Sequence, residues 1–203
     1  AHVFTLIVRG IDDVARQNGY HLIICNSDQS PEKEKIHLKE LQSRKVDGII
    51  ISPTETNAQY INKISRSGIP IILVDRLLPS IDATSVVVDN RLGAYEGVNH
   101  LIKHGYKRIG IIKGLCGISI LEDRFLGYEQ VLKENGITIE EDLIRYGEFD
   151  TEISQQATKE LLELPEPPDS IFITSEAMIL GAILAIKEKK LRIPEDIGII
   201  AFD

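Results

Sequence analysis

A carboxylate that only accepts hydrogen bonds and a donor-rich guanidinium stand side by side at Asp75 and Arg76, directly after the apolar run Ile69 to Val74. That pair suits a neutral ligand bearing several hydroxyl groups, because each hydroxyl can donate to one partner while accepting from the other. The plainer alternative is a surface ion pair that closes a strand. Polar residues recur where other apolar runs end or helices begin: Arg124 within Asp123 to Tyr128, Ser175 and Glu176 after Ser170 to Thr174, and Asp203 after Ile197 to Phe202. Phe4 and Phe149 offer flat apolar faces for a sugar ring, with ordinary core packing as their alternative.

Other chemistries lack their residues. The sequence holds no Gly-x-Gly-x-x-Gly, P-loop, His-Glu-x-x-His or Gly-x-Ser-x-Gly pattern, so the common nucleotide, metalloprotease and hydrolase signatures fail. The histidines, His2, His21, His37, His100 and His104, share no motif. His100 and His104 lie one helical turn apart and could ligate a metal, but their position before Gly105 reads more simply as a helix end. Cys25 and Cys116 show no zinc-ligand spacing and read as free thiols suited to a reducing cytoplasm. No cofactor and no metal is expected.

Composition narrows the class further. A chain of 203 residues with 43% hydrophobic content can bury a sizeable core. Its net charge of −8 and isoelectric point near 5.2 argue against nucleic acid or an anionic membrane as the direct partner of these residues. No apolar run approaches the roughly 20 residues that a membrane-spanning helix needs.

The elements that position the polar residues alternate between helix and strand. Phe4, Ile7, Val8, Ile11, Val14 and Ala15 recur at helical spacing, with Gly19 as a stop. Tyr20 to Cys25 reads as a strand, and Ser30-Pro31 as the N-cap and first residue of a helix to about Arg44. Gly48 to Ile51 is a short strand, Asn57 to Ser67 a helix, and Ile69 to Arg76 a strand expected to be buried on both faces. Ser85 to Val88 is a brief strand leading to Asp89 as an N-cap. A helix ending at Gly105 follows, and then strands and helices alternate to Phe202. The expected fold is α/β, with two Rossmann-like lobes built on parallel sheets and a boundary that gives lobes of residues 1–88 and 89–203. Both ends of the chain read as cut. In such sheets ligands bind beyond the carboxyl ends of the strands, so the polar residues above are expected to face one cleft between the lobes.

Several segments also resemble a known family. Val46 to Pro53, Ile69 to Arg76, Val88 to Ala94, His104 to Gly110, Arg124 to Tyr128 and Ile193 to Asp203 are similar, in order and spacing, to the LacI family of bacterial transcription regulators. The likeness covers the effector-binding core, whose lobes are like those of periplasmic sugar-binding proteins (periplasmic-binding-protein-like type I). The resemblance implies that Phe4, Asp75 and Arg76 contact ligand from the first lobe, and Arg124, Phe149, Ser175 and Asp203 from the second. It also implies DNA binding through an N-terminal helix-turn-helix outside this chain, a cytoplasmic homodimer, and a small effector such as a sugar. Two departures leave the effector open: Ala1-His2-Val3-Phe4 replaces the family's usual Asn-Pro-Phe-Phe, and Ser175-Glu176 replaces Asn-Asp.

The expected function is therefore effector sensing and dimerisation for a transcription regulator, without catalysis and without membrane contact. A periplasmic sugar-binding protein of the same fold is the alternative. An enzyme using Asp75 and Asp203 as a carboxylate pair on a glycoside is a third reading, disfavoured because Arg76 makes its neighbour a poor proton donor.

Overall fold

The computed structural model describes residues 2–115 and 118–202. The chain divides into two compact units, Phe4–Val88 and a second that runs from Asp89 onward.

In the first unit, helices α1 (His2–Gln17), α2 (Pro31–Ser43) and α3 (Ala58–Arg66) accompany strands β1 (Ile49–Ile51), β2 (Ile71–Val74) and β3 (Thr84–Val86). The strands form a parallel sheet in the order β1-β2-β3, with Ile49 beside Ile71 and Leu73 beside Ser85. Local chemistry explains where α2 starts: the Ser30 hydroxyl accepts from the Lys33 N–H at 3.2 Å, and Pro31 has no N–H to leave unpaired. Leu38 of α2 and Ile61 and Ile64 of α3 pack against Ile49, Ile71 and Leu73 on one face of the sheet. A buried polar tie reinforces them. The Glu34 carboxylate accepts from the Thr54 N–H (2.8 Å), the Thr54 hydroxyl (2.7 Å) and the Asn57 amide (2.8 Å), joining α2 to the loop after β1.

Two expectations fail in this unit. Tyr20 to Cys25 is not a strand, because no described strand pairs with it, and Ile24 is 69% exposed. A strand needs a ladder partner as well as an apolar sequence. Nor is β2 buried on both faces: Ile71 and Leu73 are buried, but Ile72 is 36% exposed beside Ile50 at 45%.

The second unit contains α4 (Asn90–Lys103), β4 (Ile109–Lys113), α5 (Ser119–Glu134), β5 (Ile144–Tyr146), α6 (Thr151–Leu162), β6 (Ser170–Ile173), α7 (Ile179–Glu188) and β7 (Gly198–Ala201). Its strands are all parallel, in the order β5-β4-β6-β7. As the sequence suggests, Asp89 caps α4, its carboxylate accepting from the Leu92 N–H at 2.9 Å. Alternation along β4 sends Ile109 and Ile111 into a cluster with Ala94, Val98 and Val131 of α4 and α5. Ile112 joins Leu161, Ala182 and Ile186 of α6 and α7. Helices thus cover both faces, and every residue of β4 is buried. Gly127 lets α5 approach α4 closely, since a Cβ there would collide with the Arg91 carbonyl and lie 3.0 Å from the Ala94 methyl.

Candidate functional site

Each sheet gathers polar side chains beyond its carboxyl ends, where parallel strands present their loops. In the second unit Arg124 organises this edge. It lies in α5, and its side chain is buried (5% exposed). Its Nε donates to Asn90 Oδ1 at 2.8 Å and its Nη1 to the Thr174 carbonyl at 2.6 Å, while the guanidinium carbon lies 3.7 Å from the centre of the Phe202 ring. Asn90 opens α4, Thr174 follows β6 and Phe202 follows β7, so one cation ties together the ends of several elements. Burying a charge costs free energy unless it is hydrogen-bonded, and these partners supply the bonds and a favourable ring face.

Lys113, the last residue of β4, is a second buried cation at 6% exposure. Its ammonium lies 3.6 Å from the centre of the Phe125 ring, 5.7 Å from that of Tyr146, and 3.6 Å from a carboxylate oxygen of Glu122 in the first turn of α5. Sequence reasoning missed Lys113, Asn90 and Thr174. The available signal for the first was a lysine closing an otherwise apolar strand immediately before Gly114.

Phe149 sits in the loop between β5 and α6 with φ +60°, following Glu148 at φ +51°. Non-glycine residues seldom adopt this left-handed backbone. Asp150 immediately caps α6, accepting from the Glu152 and Ile153 N–H groups at 2.8 and 2.9 Å, which fixes the loop. The Phe149 ring lies over Gly114, where an added Cβ would come within 3.1 Å of it. Ser175 is buried at the start of a short 3₁₀ turn, Glu176–Met178, and its side chain makes no capping bond. Asp203, expected at this edge, lies outside the described residues.

In the first unit, Asp75 follows β2 with φ +69°, and its N–H donates to the Val86 carbonyl at 3.0 Å. The Ser52 hydroxyl donates to Asp75 Oδ2 at 3.3 Å. Arg76 Nε lies 3.8 Å from the same oxygen, and Nη2 donates to Gln29 Oε1 at 3.2 Å. Asp75 and Arg76 are thus brought together with Ser52 and Gln29, both missed by sequence reasoning. Phe4 is 42% exposed on α1 and, among the described residues, takes part in none of these contacts.

The histidine pair reads as a helix end. His104 Nδ1 lies 2.8 Å from the His100 carbonyl, with the rings 4.1 Å apart. Among the described residues no group of three or more His, Cys, Asp or Glu side chains could hold a metal, and no helix is long and apolar enough to cross a membrane.

Two successive units with parallel sheets define an α/β protein, and comparison with known proteins gives the family. The model for periplasmic binding proteins and the sugar binding domain of the LacI family matches residues 2–203, and the chain belongs to that family. It is 32% identical over 200 residues to the HTH-type transcriptional repressor CytR of Escherichia coli (strain K12), covering 98% of this chain and 59% of that protein. It is 34% identical over 206 residues to the HTH-type transcriptional repressor PurR of Haemophilus influenzae (strain PittEE), covering 100% of this chain and 60% of the relative. Among solved structures, the transcription regulator CcpA of Lactococcus lactis superimposes with a TM-score of 0.87 at 30% identity, over 98% of this chain and 72% of that one. The chain therefore spans about 60% of the length of the curated relatives it matches.

Proposed function

We propose that this chain is the effector-sensing core of a transcription repressor, and that residues at the carboxyl edge of each sheet bind a small polyhydroxylated effector. The observation that carries the proposal is Arg124, a buried guanidinium held at that edge by Asn90, the Thr174 carbonyl and the Phe202 ring. Asp75, Arg76, Ser52 and Gln29 form the corresponding set in the first unit. Position supports including Phe149 and Ser175 in the second set, and resemblance alone supports Phe4 and Asp203. Curated relatives named as HTH-type repressors favour this reading over a periplasmic solute carrier. DNA binding belongs to a helix-turn-helix outside this chain, the working location is the cytoplasm, and no reaction is catalysed.

Effector binding in this scheme shifts a conformational equilibrium that the DNA-binding segments report. The working unit is a homodimer, a reading supported by the exposed Leu180, Ile183 and Leu184 of α7. Calorimetric titration of sugars and nucleosides is the test. Arg124→Lys should weaken binding of any effector found by at least about fivefold, since an ammonium cannot reproduce the fork of a guanidinium. Unchanged affinity with an intact fold would reject the site.

A further inference from the structure

We infer that Lys113 equips the second unit's ligand edge to read an anionic group, so that the effector carries a phosphate or carboxylate in addition to its hydroxyls. The inference rests on the proposed effector site. Lys113 is more than nine-tenths buried, yet among the described residues its ammonium donates no hydrogen bond. Its partners are the face of Phe125 and a Glu122 carboxylate oxygen at 3.6 Å, longer than a hydrogen bond. An ammonium has donors to satisfy; the side chain is largely buried while the nitrogen itself keeps some contact with solvent, so an incoming acceptor would replace water there. A leucine or isoleucine would end β4 without such donors, as Ile173 does in neighbouring β6.

The location indicates what that acceptor is. Lys113 pairs in register with Tyr146 on β5, and the Thr174 N–H bonds the carbonyl of the preceding residue, Ile112, at 3.1 Å. The lysine therefore lies at the same carboxyl edge as Thr174, whose carbonyl receives Arg124. Glu122, next but one to Arg124, belongs to the first turn of α5, where the helix dipole adds positive potential. In a chain of net charge −8 this edge concentrates two buried cations, Lys113 and Arg124. Glu122 has a side chain 44% exposed and can turn toward water, leaving the ammonium to an incoming anion. The aromatic faces of Phe125 and Tyr146 hold the cation meanwhile.

Calorimetry with matched pairs tests the inference: ribose against ribose 5-phosphate, glucose against glucose 6-phosphate, glucose against gluconate, and adenosine against its monophosphate, with inorganic phosphate alone as a control. The unmodified chain should bind the anionic member of at least one pair about tenfold more tightly than its neutral parent, a preference that weakens as salt rises. Phosphate and carboxylate arms separate the two sources of charge. Lys113→Met should reduce that preference to less than about threefold, and Glu122→Gln should increase it by removing the competing carboxylate. The second substitution keeps the test decisive should the first disturb packing. A neutral parent bound as tightly as its anionic partner, or a preference that neither substitution changes, overturns the inference while leaving the effector site standing. No binding by any member overturns both.

Discussion

β2 and β4 look alike as sequence, short isoleucine-rich runs ending at a charged residue, yet they occupy different environments. Every residue of β4 is buried, with Ile109 and Ile111 against α4 and α5 and Ile112 against α6 and α7. β2 buries only Ile71 and Leu73, against α2 and α3, and leaves Ile72 exposed beside Ile50. A continuous apolar run shows that a strand can be covered on both sides; whether it is covered depends on helices supplied elsewhere in the chain. The carboxyl edges differ in parallel. The second unit's cations, Arg124 and Lys113, rest on aromatic ring faces as well as on Asn90, the Thr174 carbonyl and Glu122, whereas the first holds Arg76 through Asp75 and Gln29.

The largest effect that separates the two sheets should come from matched truncations. Ile111→Ala empties a site closed on all sides and should cost about 2 to 5 kcal/mol in denaturant titrations, while Ile72→Ala should cost less than about 1 kcal/mol. Similar costs would mean that the exposed face of β2 is covered in solution. Next in size is the polar tie that supports the first unit. Glu34→Ala leaves the Thr54 N–H without its acceptor and the Asn57 amide with the Pro31 carbonyl but no carboxylate, and should cost about 1 to 3 kcal/mol by the same measurement.

The smallest effect concerns pH and lies on the second unit's surface. Hydrogen bonds from the Arg192 side chain, first, and then from its backbone N–H lower the pKa of Asp196 to about 2. Because the folded value lies below the ordinary carboxylate value, the stability this carboxylate contributes is present above that ordinary value and is lost as pH falls through about 2. NMR titration of the carboxyl carbon should show that midpoint, and Arg192→Met should move it upward. Asp28 in the first unit is also lowered, chiefly by its hydrogen bond from Lys33. Lys33→Met should raise its midpoint in the same experiment.

Much of the fold was legible because its signals are local. Ser30 and Asp89 cap their helices as their sequence positions suggest, and Gly19, Gly68 and Gly105 end helices with φ between +78° and +96°. The alternation of strand and helix and the likeness to the LacI family also led to the right architecture and family. The failures involve partners distant in sequence. Tyr20 to Cys25 has strand composition but no ladder, and Ile72 has a helix pair on one side only. At the site, Arg124 could be picked out by its type and place, but Asn90 and Thr174 could not, because neither differs locally from an ordinary cap or strand end. Lys113 left one local signal, a lysine closing an apolar strand before Gly114, but its surroundings come from Phe125, Tyr146 and Glu122 on other elements.

Hydrogen exchange with and without a ligand identified by titration tests most directly whether the carboxyl edges bind the effector. The amides after β4 and β6, at Gly114, Leu115, Thr174 and Ser175, should gain protection on binding, together with Asp75 and Arg76 after β2. Protection confined to the amino ends of the strands, at Ile109, Ser170 and Ile71, would contradict the proposed site.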